Sequence, residues 1–497
     1  MAAPSAQLDP RTPVLVGVGQ VNLEAGAPVE AADPVALMAE AVHRAVTDAG
    51  AAALLAAVDS VRVVSILAVR HPDPGRLLAD HMGISPADTA LSPMGGNSPQ
   101  SLVNTAALDI AAGRADAVIV TGCEPWRTRQ AARRAGTPLP WASQDPATPP
   151  ARVIGGELDM SHPAETALGI AMPVQVYPVF ETALRAVAGR SPDAHLQHIA
   201  GLWSRFSQVA ATNPYASVRH GFSAEEIATP TADNRWIGYP YTKWLVSNDR
   251  VDQGAALILC SAERAAALGI SRDRWVFPLA GTDTTEALVS LRHDLHRSPA
   301  IRVGGRRCLE LAGVDIDDVA HIDLYSCFPS AVQIGADELG LGLDRPLTVT
   351  GGLTFAGGPW NDYVTHSIAT MVGVLRDDPG SIGLITANGG LISKHAFGLY
   401  STEPPTGGFR HEAPQAEVDA VPAREAAVEH EGPVTVEAYT VMHGRDGAAE
   451  RALAACLLPD GRRTWAASTD PDVMATFVAD EGCGRAARVV DGTFTLA

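Results

Sequence analysis

Apolar and polar positions along the first 123 residues alternate between two periods. A short β-branched run at residues 14–19 ends in glycine, and residues 34–49 carry apolar positions at helical spacing up to Gly50, which predicts a strand followed by a helix. Residues 61–67 read as a second strand and residues 77–82 as a helix stopped by Gly83. The next unit is more regular. In Gly95-Gly96-Asn97-Ser98-Pro99, Ser98 suits a helix N-cap and Pro99 the first helical position. Leu102, Ala106 and Ile110 then share one face, Gly113 ends the helix, and residues 115–122 form a buried strand.

The pattern changes between residues 124 and 236. Prolines cluster at 138, 140, 146, 149 and 150, and two amphipathic helices follow at 179–188 and 193–211, so this stretch reads as an insertion. Strand and helix periods resume with a strand at 251–260, a helix at 302–312 and a strand at 321–325. After Pro405 the apolar runs become short and β-rich, at 434–441, 452–458 and 464–468, with Gly, Asp and Pro turns between them. Two α/β halves therefore flank a helical insert, and residues 408–497 form a separate small β domain. A chain of 497 residues accommodates this division, since single cores stop growing at roughly 250–300 residues.

Charge narrows the function classes. A formal net charge of −19 excludes a phosphate-backbone binder, whose affinity needs clustered Lys and Arg. The one basic cluster, Arg127, Arg129, Arg133 and Arg134, reads as a solvated helix face or as a docking patch for the nucleotide end of an anionic cofactor. Six scattered cysteines with no C-x-x-C pair point to a reducing compartment and to no zinc site. The first 13 residues lack the basic and apolar regions of a signal peptide and no run of 18 apolar residues occurs, so a cytoplasmic chain without a membrane span is expected.

The strand at Val14, the Gly95-Gly96-Asn97-Ser98 elbow before a buried helix, the run from Ile110 to Gly122, Asp252-Gln253-Gly254-Ala255-Ala256 and the stretch from Val319 to Phe328 together resemble thiolases in order and spacing. The likeness covers roughly residues 10–405 and is strongest to the sterol-carrier-protein subgroup, while the C-terminal segment is similar to that of mycobacterial thiolase-like proteins of type 1. The resemblance implies an α/β thiolase fold: two βαβαβαββ halves in a five-layered core, a helical loop domain inserted in the first half that helps hold CoA, and an added C-terminal β domain. Residues 1–123 with 237–285 are expected as the N-terminal half, 124–236 as the loop domain, 286–407 as the C-terminal half and 408–497 as the addition.

A thiolase attacks with a cysteine at a helix N-terminus, where the macrodipole and free N–H groups favour the thiolate. The resemblance puts Gly96 at that place. Tyr325 stands for the histidine of His-Asp-Cys-Phe, Gly358 for that of Gly-His-Pro, and Ala387 for the cysteine of Cys-x-Gly. All four chemical positions are changed. The remaining candidates are Ser98, a hydroxyl that would need an adjacent base, and Cys327, otherwise a small buried hydrophobe. His366 and His395 follow glycine-rich turns and are of the type that takes protons near neutral pH; the alternative for each is a structural histidine. Lys394 reads as a solvent-facing charge. Gly17-Val18-Gly19 and the pairs Gly351-Gly352 and Gly357-Gly358 fit neither a dinucleotide nor a phosphate-loop frame.

The resemblance thus implies a protein that binds CoA or an acyl-CoA, with no covalently bound cofactor, and carries out an acyltransferase-class reaction of lipid metabolism with a rearranged residue set. The alternative is a catalytically silent module that holds CoA, a lipid-like small molecule or a protein partner. Thiolysis of acetoacetyl-CoA is expected to be undetectable. A monomer and a homodimer are equally compatible with the sequence.

Overall fold

The computed structural model describes residues 8–497. The leader-free reading of the N-terminus falls partly on residues 1–7, outside the described residues.

Two mixed sheets form the core. The first runs, in spatial order, Pro13–Asn22, Asp252–Ser261, Ala117–Pro125, Ser60–Val63, Asp88–Leu91 and Arg152–Val153. The second runs His321–Asp323, Ile382–Gly389, Lys394–Ser401, Phe277–Thr285 and Arg410–Glu412. In each, a first strand lies beside the last strand of its half, the same path walked twice. The helix Pro34–Ala49 covers the outer face of the first sheet and Pro299–Ala312 that of the second, while Ser98–Ala111 and Tyr363–Asp377 lie between them. This is the five-layered thiolase arrangement. The middle helices are buried almost all round, as expected of helices whose apolar residues are not confined to one stripe.

Local expectations meet the structure with instructive differences. Strand 61–67 stops at Val63 because the backbone N–H groups of Leu67 and Ala68 turn to donate to the Glu124 carboxylate. Ser98 is not the cap: Asn97 holds that position, and the Ser98 hydroxyl donates to the Pro93 carbonyl at 3.0 Å. The strand Phe277–Thr285, expected to close the first half, opens the second, because it pairs antiparallel along Lys394–Ser401. Likewise Arg410–Glu412, expected in the added domain, pairs parallel with Phe277–Thr285 in the second sheet.

The strands of the added β domain begin at Gly432. Gly432–His443, Ala449–Leu457, Arg463–Ser468, Thr493–Leu496 and Ala486–Val490 close into a barrel, since the first strand pairs with both the second and the last-named. Its interior is a core of its own, centred on Val436, Tyr439, Phe477 and Phe494. The barrel is joined to the insert: Met442 pairs with Gly238 of the strand Trp236–Gly238, and Thr182 of the helix Pro173–Ala188 exchanges hydrogen bonds with the Tyr439 backbone at 2.8 and 2.9 Å. Among the described residues no helix is long and apolar enough to cross a membrane.

Candidate active site

A cavity of about 210 Å³ lies where both halves and the insert meet. One wall is the Met94-Gly95-Gly96 turn before the helix Ser98–Ala111; the others are Tyr325 to Phe328 after the strand His321–Asp323, the turn carrying Gly358, Trp360 and Asn361, the end of the strand Ile382–Gly389, and residues 246–249. Met160, Met172 and Tyr177 close it from the insert. Larger hollows elsewhere, such as one of about 660 Å³ beside Arg297, Arg302 and Asp419, are lined by charged side chains. The 210 Å³ cavity is instead apolar with a few convergent polar groups, the pattern of a small-molecule site.

At its centre a glycine is sterically required. A Cβ on Gly96 would collide with the Tyr325 hydroxyl and would lie 2.5 Å from the Asn388 carbonyl oxygen and 2.9 Å from Tyr325 Cζ. The Tyr325 phenol thus occupies the space in front of the helix N-terminus. Around it stand Tyr177, whose hydroxyl accepts from Asn388 Nδ2 at 3.2 Å and donates to Gly390 O at 3.3 Å, and Cys327, whose thiol burial pushes up to about 12. Both phenols are raised above their ordinary range, chiefly by burial, so all three groups keep their protons at neutral pH. Among the described residues Asn388 Oδ1 and Trp360 Nε1 have no hydrogen-bond partner.

The turn that carries Trp360 is stitched to both neighbouring walls. Gly358 N donates to Asn248 O at 2.8 Å, and Gly95 N donates to Asn361 Oδ1 at 3.0 Å. Trp360 adopts a φ of 46°, a region that bulky residues rarely enter, and packs edge-on against Trp126 with ring centres 5.4 Å apart.

Of the candidates from the sequence, Cys327 lines this cavity with Gly96, Tyr325 and Gly358. Ala387 is the neighbour of the lining residue Asn388 and is itself turned away. Ser98 lies behind the turn, its hydroxyl committed to Pro93. The two histidines do not line the cavity. His366 bonds Gln20 Oε1 through Nδ1 at 2.9 Å, and His395 bonds Ile392 O through Nε2 at 3.2 Å. Burial lowers both to about 3, with the charge of Arg292 adding to the effect at His395. They are neutral, enclosed side chains. Lys394, expected in solvent, is 4% exposed and donates to Met94 O at 2.7 Å.

The family model for the thiolase-like protein type 1 additional C-terminal domain matches residues 414–493. The chain is 33% identical to the monomeric SCP2-thiolase-like protein type 1 of Mycobacterium smegmatis, over 99% of this chain and 100% of that one, with a TM-score of 0.83. The chain belongs to the thiolase-like protein type 1 family. More distant structures share the thiolase fold with this type 1 chain. They include an acetyl-CoA acetyltransferase of Syntrophomonas wolfei, at 15% identity over 79% of this chain and 99% of that one with a TM-score of 0.57. The dimeric peroxisomal thiolase of Saccharomyces cerevisiae matches at 14% identity over 80% of this chain and 99% of the other, with a TM-score of 0.59. No curated protein sequence matches.

Several residues of this type 1 protein's cavity carry no clear signal in the sequence, Asp249 and Trp360 among them. Asp249 sits in the polar turn before the strand Asp252–Ser261 and lines the cavity, its carboxyl held above the ordinary range by burial. Trp360 follows the pair Gly357-Gly358 and Pro359 in a turn. The available signal was weak: an Asn-Asp pair in a turn, and a lone tryptophan after Gly-Gly-Pro.

Proposed function

We propose that this type 1 thiolase-like protein binds the acyl end of an acyl-CoA thioester in the 210 Å³ cavity and acts on it without a covalent acyl-enzyme. The observation that carries this reading is the pairing of Gly96 with Tyr325: no side chain fits at position 96, and a protonated phenol fills the place in front of the helix. A volume below the roughly 300 Å³ of drug-sized pockets suits a short acyl group, with the remainder of CoA outside. The helix Trp126–Ala135 starts at the cavity rim through the Trp126–Trp360 contact and carries Arg129, Arg133 and Arg134 on its exposed surface, a favourable place for the anionic nucleotide end. Such a ligand places the protein in lipid metabolism, in the transferase class of its fold relatives, and its six unpaired cysteines suit the cytoplasm.

A monomer is the state we assign. The edge strand Asp88–Leu91 is covered by the chain's own Arg152–Val153, which pairs in parallel with it and is fastened by Arg152 to Asp88 at 2.7 Å. The alternative, a catalytically silent CoA or lipid holder, draws its support from the two histidines lying outside the cavity.

Calorimetry with CoA and a series of acyl-CoAs tests the reading. Binding that depends on acyl length, no acyl adduct in intact-protein mass spectra and no thiolysis of acetoacetyl-CoA are the expected results. Thiolysis abolished by mutating one cysteine, or no binding at millimolar ligand, overturns it.

A further inference from the structure

Resting on the acyl-CoA reading above, we propose that the cleft moves the proton on the carbon beside the thioester carbonyl, with the Asp249 carboxylate as base and the Tyr325 hydroxyl as donor to the carbonyl oxygen. In this step the C–H bond breaks and its proton passes to Asp249. The freed electron pair forms the carbon–carbon double bond of an enolate, and the carbonyl π pair moves onto the oxygen that Tyr325 holds. Return of a proton from Asp249 restores the thioester, so without a second reactant the net change is exchange of that hydrogen with water.

Three observations carry the assignment. Among the described residues Asp249 is the only carboxylate lining the cavity, and no cation pairs with it within 4 Å. Burial raises its carboxyl above the ordinary range and so makes it a stronger base than a solvated carboxylate. Glu124 and Asp362, both also raised by burial, do not line the cavity. Second, the Tyr325 side chain makes no hydrogen bond to the described protein, and its hydroxyl stands at the cavity centre against Gly96. A neutral donor preorganised in an apolar site is what a developing oxyanion needs. Third, the two groups belong to walls joined directly, since the Ser247 hydroxyl, two residues before Asp249, donates to the carbonyl of Cys327, two residues after Tyr325, at 2.7 Å. The walls are therefore held in register before any ligand arrives.

The test follows deuterium incorporation into butyryl-CoA in D2O by NMR, using the full chain, with calorimetric binding on the same samples. Exchange above the buffer rate is expected. Asp249→Asn should lower it by about 10²-fold or more while keeping affinity within about threefold, and Tyr325→Phe should lower it by about 10²-fold. A pH–rate profile of the unmodified chain needs no variant: the rate should rise through an apparent pKa above the ordinary carboxylate range, and a flat profile overturns the proposal. Binding without exchange, or unchanged exchange in Asp249→Asn, overturns it and leaves the acyl-CoA reading standing. Failure to bind any acyl-CoA overturns that reading and this proposal with it.

Discussion

At the junction of core and barrel, every nitrogen of the fully buried Arg463 guanidinium is used. It forks onto Glu437 at 2.6 and 2.7 Å and donates to the carbonyls of Val289, Ser290, Arg292 and His293. Around the cleft the accounting is different: among the described residues Asn388 Oδ1, Trp360 Nε1 and, just behind, Asp362 Oδ2 and His366 Nε2 find no hydrogen-bond partner. Buried polar groups are normally paired because leaving one unpaired costs about 1–3 kcal/mol. The contrast separates a region optimised for holding the fold from one whose polar atoms answer to something other than stability.

The sharpest way to break this contrast is at the junction. Arg463→Ala leaves Glu437 and the carbonyls of Ser290 and Arg292 without their donor and should destabilise the chain by about 3–5 kcal/mol, read from urea unfolding; a loss below about 1 kcal/mol would mean the junction is no more built for stability than the cleft. At the cleft, Gly96→Ala forces a methyl against Tyr325 and the Asn388 carbonyl and should cost about 1–3 kcal/mol. An equally stable Gly96→Ala would show that the phenol can swing aside and that a side chain fits.

Acid probes the histidines behind the cleft. The folded chain keeps His366 and His395 unprotonated down to about 3, against an ordinary value of 6.5. The unfolded chain protonates each below its ordinary value, so stability should fall as pH drops from about 6.5 toward 3, by up to ~1.4 kcal/mol per pH unit for each histidine. His366→Gln should flatten that slope; an unchanged slope would place the acid sensitivity elsewhere. The smallest effect is on binding: His366→Gln and His395→Gln should leave acyl-CoA affinity within about threefold, and a tenfold loss would bring either side chain into the site.

The fold was legible because its signals are local. Proline and glycine mark the ends of the helix Ser98–Ala111, β-branched runs mark the strands, and the composition shift after Pro405 marks the added domain. What escaped depends on pairing partners far along the chain. Phe277–Thr285 has the same texture whichever sheet it joins, and only its register with Lys394–Ser401 decides. The site shows the same limit. Gly96 and Tyr325 are 229 positions apart in sequence, and their mutual exclusion appears only in space. His366 and His395 sit near glycine-rich turns in sequence, yet helix and strand periodicity point them toward Gln20 and Ile392. Asp249 had no periodicity to betray it.

The strand pairing of Met442 with Gly238, together with Arg185 reaching the Tyr439 hydroxyl at 2.6 Å and Glu481 at 2.8 Å, ties the barrel to the same inserted helix that carries Tyr177 over the cavity. The roof of the cleft is therefore clamped from outside, by a part of the chain that contributes no atom to the cavity lining. The roof cannot lift without breaking its hold on the barrel, so a ligand enters a cleft whose cover is already fixed.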